Sequence, residues 1–103
     1  MPIEILEEAL EEASKAAVWY EKECAGLGYD FFETLESAFD AIEYKLLPLS
    51  PMPDKMNVLG VKRLILKRFP FDIVVLERSA ITIIIAVAHQ ARKPEYWRDR
   101  ITP

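Results

Sequence analysis

The sequence predicts an α+β domain built from an N-terminal strand, an antiparallel helical hairpin and a mainly antiparallel sheet of three C-terminal strands (β-α-α-β-β-β). Three observations carry this. Residues 71–76 and 81–88 are apolar runs rich in β-branched side chains, joined by the polar link 77–80, which is strand chemistry. Apolar residues recur at helical spacing from Leu6 to Cys24 and again from Phe32 to Leu46. Residues 58–68 alternate with a period of two.

In chain order, residues 2–6 (PIEIL) read as a short strand, with Ile3 and Ile5 alternating with Glu4 and Pro2 tolerated at the first position. From Glu7 the pattern is helical: Leu6, Leu10, Ala13, Ala17, Tyr20 and Cys24 define one face. Glu7, Glu8, Glu11 and Glu12 fill the first turns, where they complement the helix dipole and belong to a solvated outer face. Gly26 supplies a helix stop and Gly28 a second joint. Asp30 with Glu33 resembles a capping box opening a second helix, whose stripe is Phe32, Leu35, Phe39, Ile42 and Leu46. A bulky stripe facing an alanine-rich one suits close packing of the two helices. The second helix ends by Leu47, ahead of Pro48.

Residues 48–57 hold three prolines and read as a loop, with Met52 and Met56 as gap-fillers or adaptable contacts. In the next strand Lys62, Leu64, Leu66 and Arg68 share one side, and Val61, Arg63, Ile65, Lys67 and Phe69 the other. Leu64 and Leu66 then cover the helices, leaving Arg63 and Lys67 flanking Ile65 on the opposite face. Hairpins 58–76 and 71–88 complete the sheet. In the last strand Ile83, Ile85 and Val87 alternate with Ile84, Ala86 and Ala88, so both faces are apolar. The helices cover one. The other requires the chain's own tail or a second protein, a homodimer included.

At 103 residues the chain is expected to form one domain with a modest core. The single cysteine, Cys24, has no intrachain partner; it points to a reducing compartment and to a small core position on a helix. The acidic opening MPIEILEEALEE lacks a secretory signal and no run is long enough to span a membrane, so the cytoplasm is the expected location. The net charge of −4 by itself disfavours nucleic acid. Its distribution is uneven: residues 1–59 hold four Lys/Arg against thirteen Asp/Glu, and residues 60–103 hold nine against four. Either one face meets an anionic partner or the two halves attract each other within the fold.

No phosphate loop, Cys/His metal pattern or dinucleotide fingerprint is present, so neither a metal nor a cofactor is expected. A hydrolytic triad on the only histidine would need Ser79 or Cys24 as nucleophile, and their surroundings do not suit it. The strongest candidates lie after the last strand, in His89, Arg92 and Tyr96. RNA cleavage by a 2′-hydroxyl needs proton-handling groups, which His89 or Tyr96 supply, and cations on the phosphate, which Arg63, Lys67 and Arg92 supply. In the structural alternative, His89 and Trp97 fasten the tail to the sheet while Arg92 and Arg100 pair with acidic side chains of the first half. For a lone histidine at a strand end, that is the commoner arrangement.

The pattern Arg63…Phe69-Pro70-Phe71…Ala86-Val87-Ala88-His89…Arg92-Lys93-Pro94-Glu95-Tyr96-Trp97…Arg100 resembles the RelE/ParE toxins of bacterial type II toxin–antitoxin systems, closest to the branch labelled plasmid stabilisation proteins. Ala9, Glu12, Ala16, Trp19-Tyr20-Glu21 and Gly26-Leu27-Gly28…Phe32 resemble the family's helical half. The resemblance implies the RelE/ParE topology and a cognate antitoxin that covers apolar surface and brings acidic groups to the basic strand-and-tail region. It implies growth inhibition through DNA gyrase, or through the ribosome and mRNA. Arg92 and Tyr96 match tail positions of the RNA-cleaving members, but Asp72 and Gln90 stand where those tend to carry arginine, and Val75 where many carry tyrosine. A carboxylate in a phosphate cradle repels the substrate. These departures favour the ParE-like branch, which binds and poisons gyrase, and equally allow an inactive antitoxin-binding remnant. On that reading Arg63, Lys67, Arg92, Lys93, Tyr96, Trp97 and Arg100 form the target-binding surface.

Overall fold

The structure, a computed structural model, describes residues 2–52 and 59–101. Strand β1 (Ile3–Ile5) leads into helices α1 (Glu7–Glu23) and α2 (Leu27–Glu43). The short strand β2 (Ser50–Pro51) follows, then β3 (Val61–Ile65), β4 (Phe71–Glu77) and β5 (Thr82–His89), with one 3₁₀ turn at Arg98–Arg100. The sheet order is β1-β5-β4-β3-β2. Both expected hairpins form, β3 with β4 and β4 with β5, and β1 joins β5 in parallel. The two-residue β2 lies inside the segment expected to be loop and pairs antiparallel with β3. Met56 and Val58 fall outside the described residues.

Both helices pack on one face of the sheet, but each is rotated from its expected stripe. In α1 the buried residues are Ala9, Ala13 and Ala17, while Leu10 is 48% exposed. Cys24 is the residue closing α1 and is exposed, so it is not a core residue. In α2 Phe31 is fully buried and its neighbour Phe32 is 43% exposed. The alanine stripe explains the shift: the α1 backbone can approach closely along Ala9, Ala13 and Ala17, which burying Leu10 would prevent.

The hairpin turn is also tighter than expected. Helix α2 begins at Leu27 rather than after Asp30, with Gly26 before it at φ 90°. Gly28 lies within α2 and is no joint. A Cβ there would stand 2.5 Å from the Ala17 carbonyl oxygen, so the two helices touch backbone to backbone. Glu21, from the last turn of α1, accepts from the Gly26 and Gly28 N–H groups at 3.0–3.1 Å, satisfying donors at the start of α2. Asp30 instead pairs with Arg68 at 3.0 Å. Helix α2 ends at Glu43, and Leu46 is exposed.

Strand β5 carries one extra residue. Val74 pairs with Ala86 and Val75 with Ile84, so Ile85 bulges out of the ladder. Simple alternation fails from there on. Ile84 and Val87 face the helices, while Ile85, Ala86 and Ala88 face away. The far face holds a second apolar cluster with Met52, Val61, Val74 and Leu76, and the tail's Trp97 covers it at 3% exposure. Of the two covers considered, the chain's own tail is the one seen.

Candidate functional site

Two groups of polar side chains lie around the tail. The first lines an open cleft of about 190 Å³ at the ends of β3, β4 and β5, roofed by residues 92–97. Its walls include Arg63, Asp72, His89, Gln90, Arg92, Lys93, Tyr96 and Trp97, with Met52 at the floor. Alternation of β3 places Arg63 on the face away from the helices, as expected. Asp72 comes to the same face from β4, its Oδ2 3.6 Å from Arg63 Nη1. Its other oxygen accepts from Gln90 Nε2 at 3.0 Å. The buried Arg63 Nε has no acceptor among the described residues.

His89 ends β5 and is exposed. Its ring meets Phe71 edge-on at 5.0 Å, and Nδ1 accepts from the Ala91 N–H at 3.0 Å. The neutral ring therefore carries its proton on Nε2. Glu95, at φ 60°, holds a left-handed conformation unusual for a side chain of this kind and turns the tail back over the sheet.

The second group is centred on Glu12. Beyond the end of β1, the open edge of β5 offers the Val87 N–H and the Ile85 carbonyl. Glu12 Oε1 accepts from Val87 N at 3.1 Å, and Arg100 Nη1 donates to Ile85 O at 3.1 Å. Arg100 also clasps Glu12 with two bonds of 2.9 and 3.0 Å, and the Tyr96 hydroxyl donates to Glu12 Oε2 at 2.5 Å. The Arg92 guanidinium lies 3.8 Å over the Tyr96 ring, with Nη1 4.0 Å from Glu12. Burial, then the bond to Glu12, pushes the Tyr96 hydroxyl well above its ordinary range. The bond to Glu12 likewise raises Arg100.

Of the residues expected to act together, Arg63, His89, Arg92, Lys93, Tyr96 and Trp97 share the cleft. Two do not. Lys67 lies in the exposed turn after β3, because the strand stops at Ile65 and the alternation that would place Lys67 beside Arg63 ends with it. Arg100 turns to Glu12, and Trp97 is a core side chain. Sequence reasoning put Glu12 on a solvated face. The signal for a buried role was its place among alanines, with Ala9, Ala13 and Ala16 beside it on the same face of the helix. Among the described residues no group of three or more His, Cys, Asp or Glu is placed to hold a metal ion, and no helix is long and apolar enough to cross a membrane.

The fold is similar to one in a solved structure titled as the chromosomal ParDE TA system from P. aeruginosa. One chain of it superposes with a TM-score of 0.67 at 15% identity, over 86% of this chain and 95% of that one. This chain has the RelE/ParE fold. No protein-family model matches the sequence, and no curated protein matches it. The expected topology is thus present, and at this identity the likeness is one of fold.

Proposed function

We propose that this RelE/ParE-fold chain is the toxin of a type II toxin–antitoxin module, neutralised by a cognate antitoxin, and that it acts by binding DNA gyrase rather than by turnover. The observation that carries the mechanism is the internal pairing of the groups a nuclease would need. Tyr96 and Arg100 are engaged by Glu12, and Arg63 stands beside Asp72. A tyrosine held protonated by burial and a carboxylate is a poor proton acceptor, and Asp72 opposes a phosphate at Arg63. The neighbour's origin in a toxin–antitoxin system supports an antitoxin partner.

A second reading, an mRNA endoribonuclease, has one observation in its favour: Arg63, His89, Arg92 and Tyr96 do line one cleft. Inducible expression in bacteria, followed by gyrase supercoiling and translating-mRNA assays with purified protein, separates the readings. The expected result is growth arrest with supercoiling inhibited and mRNA intact. Cut mRNA with supercoiling untouched overturns the gyrase mechanism, and unimpaired growth identifies an inactive antitoxin-binding remnant.

A further inference from the structure

Most exposed positions of α1 are charged, yet Val18 and Trp19 stand side by side on it at 56% and 57% exposure. Trp19 is on the rim of an apolar pocket of about 200 Å³, lined by Ala16, Trp19, Tyr20, Phe71 and His89. The pocket opens on the helix side of the sheet, apart from the far face that Trp97 closes. Its floor is firm: the Tyr20 ring packs on Phe31, Phe69 and Phe71 at centroid distances of 5.2, 5.0 and 6.3 Å. Folding alone gives no reason for a tryptophan left in water beside an empty apolar hollow.

We propose that this face of α1 is the contact surface of a homodimer. Two copies meet antiparallel about a twofold axis at Trp19, each Trp19 enters the pocket of the other copy, and Lys15 of each faces the partner's Glu23. This contact is independent of the toxin reading, which concerns what the chain does to a cell.

Shape argues for a helix as the occupant. Ala16, Trp19 and Tyr20 stand at i, i+3 and i+4, with Glu23 at i+7, and four positions so spaced form the hole that a helix offers to one side chain of a facing helix. Ala16 lets that helix come close. The pocket is smaller than the roughly 300–1,000 Å³ of small-molecule sites and suits one large side chain. A face that carries both the knob and the hole around it is complementary to itself, which is the requirement of a twofold contact.

Charge argues for a second copy and fixes its direction. Lys15 and Glu23 lie four residues before and after Trp19 on the same side of the helix. Both are exposed, and neither has an ion-pair partner among the described residues. Antiparallel pairing centred on Trp19 brings Lys15 opposite the partner's Glu23 twice over. Parallel pairing would instead oppose like charges, Lys15 to Lys15 and the acidic turns at Glu7, Glu8 and Glu11 to themselves. One helix pair is a small interface, so the dimer forms reversibly and in proportion to concentration.

The test is sedimentation equilibrium of the purified full chain in reducing buffer, which keeps the exposed Cys24 from cross-linking copies. The expected result is a monomer–dimer equilibrium with no larger species. Trp19→Ala should raise the dissociation constant about tenfold or more, as loss of a central aromatic anchor does. Its one remaining tryptophan, Trp97, is buried, and the emission of Trp97 reports that the variant is folded. Lys15→Glu and Glu23→Lys should each weaken the dimer, and the double variant carrying both, which exchanges the two charges, should restore it. A chain that stays monomeric at every concentration overturns the dimer and leaves the pocket to a segment of another protein. A dimer indifferent to Trp19→Ala overturns the contact, as do single charge variants without effect or not rescued by the exchange. Growth arrest is scored separately in cells, so a monomeric toxin and a dimer that harms nothing are told apart.

Discussion

Glu12 gathers the Val87 N–H, the Tyr96 hydroxyl and both arms of Arg100 on two oxygens, tying α1, the edge of β5 and the tail at one point. Its side chain is 15% exposed and that of Arg100 is 18% exposed, so removing one partner leaves the other largely desolvated. Glu12→Ala should therefore cost about 3 kcal/mol of unfolding free energy, measured by urea denaturation. Tyr96→Phe deletes one charge-assisted bond and should cost about 1.5–2 kcal/mol in the same experiment. Tyr96 also predicts an alkaline response. Its folded-state pKa is raised from 10.0, so its contribution is fully present below pH 10 and is lost as the unfolded chain begins to ionise above it. Tyr20, raised by burial, acts in the same direction. The wild-type melting temperature should fall above pH 10, and less steeply in Tyr96→Phe.

At the scale of elements, the helical hairpin depends on a close backbone approach. Gly28→Ala would push a methyl group to 2.5 Å from the Ala17 carbonyl, a clash with backbone that only parting the helices relieves. The expected loss is about 2–3 kcal/mol. Gly26 has open space around its missing Cβ but a φ of 90°, so Gly26→Ala carries only conformational strain of about 1–2 kcal/mol. Denaturation midpoints should rank wild type, Gly26→Ala, Gly28→Ala in falling order; the reverse order of the variants would mean the hairpin is held by its turn and not by its packing. The Ile85 bulge matters as much for the site. It moves His89 to the helix-facing side of β5, next to Phe71, while Asp72 and Arg63 remain on the other side.

For the molecule as a whole, the tail is part of the core. Trp97 closes the far face over Val74, Ile85 and Ala86, and Trp97→Ala should cost about 3–5 kcal/mol and expose that face. The checks are a lowered thermal midpoint and concentration-dependent self-association by light scattering; an unshifted midpoint would show the tail to be a dispensable cover. The charge asymmetry is also resolved at this scale. Arg100 with Glu12 and Arg68 with Asp30 join the basic half to the acidic half. The halves do attract each other, and Arg92, 4.0 Å from Glu12, belongs to the same pairing.

The sequence by itself determined the element order, the two hairpins and the helix-facing role of Leu64, because periodicity and β-branched runs are local signals that burial then enforces. It also carried Arg63, His89, Arg92 and Tyr96 as a group, since three of them follow one strand end. The helix registers, the bulge at Ile85 and the partners of Glu12 were decided only by the tertiary structure. Ala9 or Leu10, Phe31 or Phe32 satisfy a helical pattern about equally well. How closely α1 can approach α2 and the sheet chooses between them, and that distance is a property of two surfaces meeting.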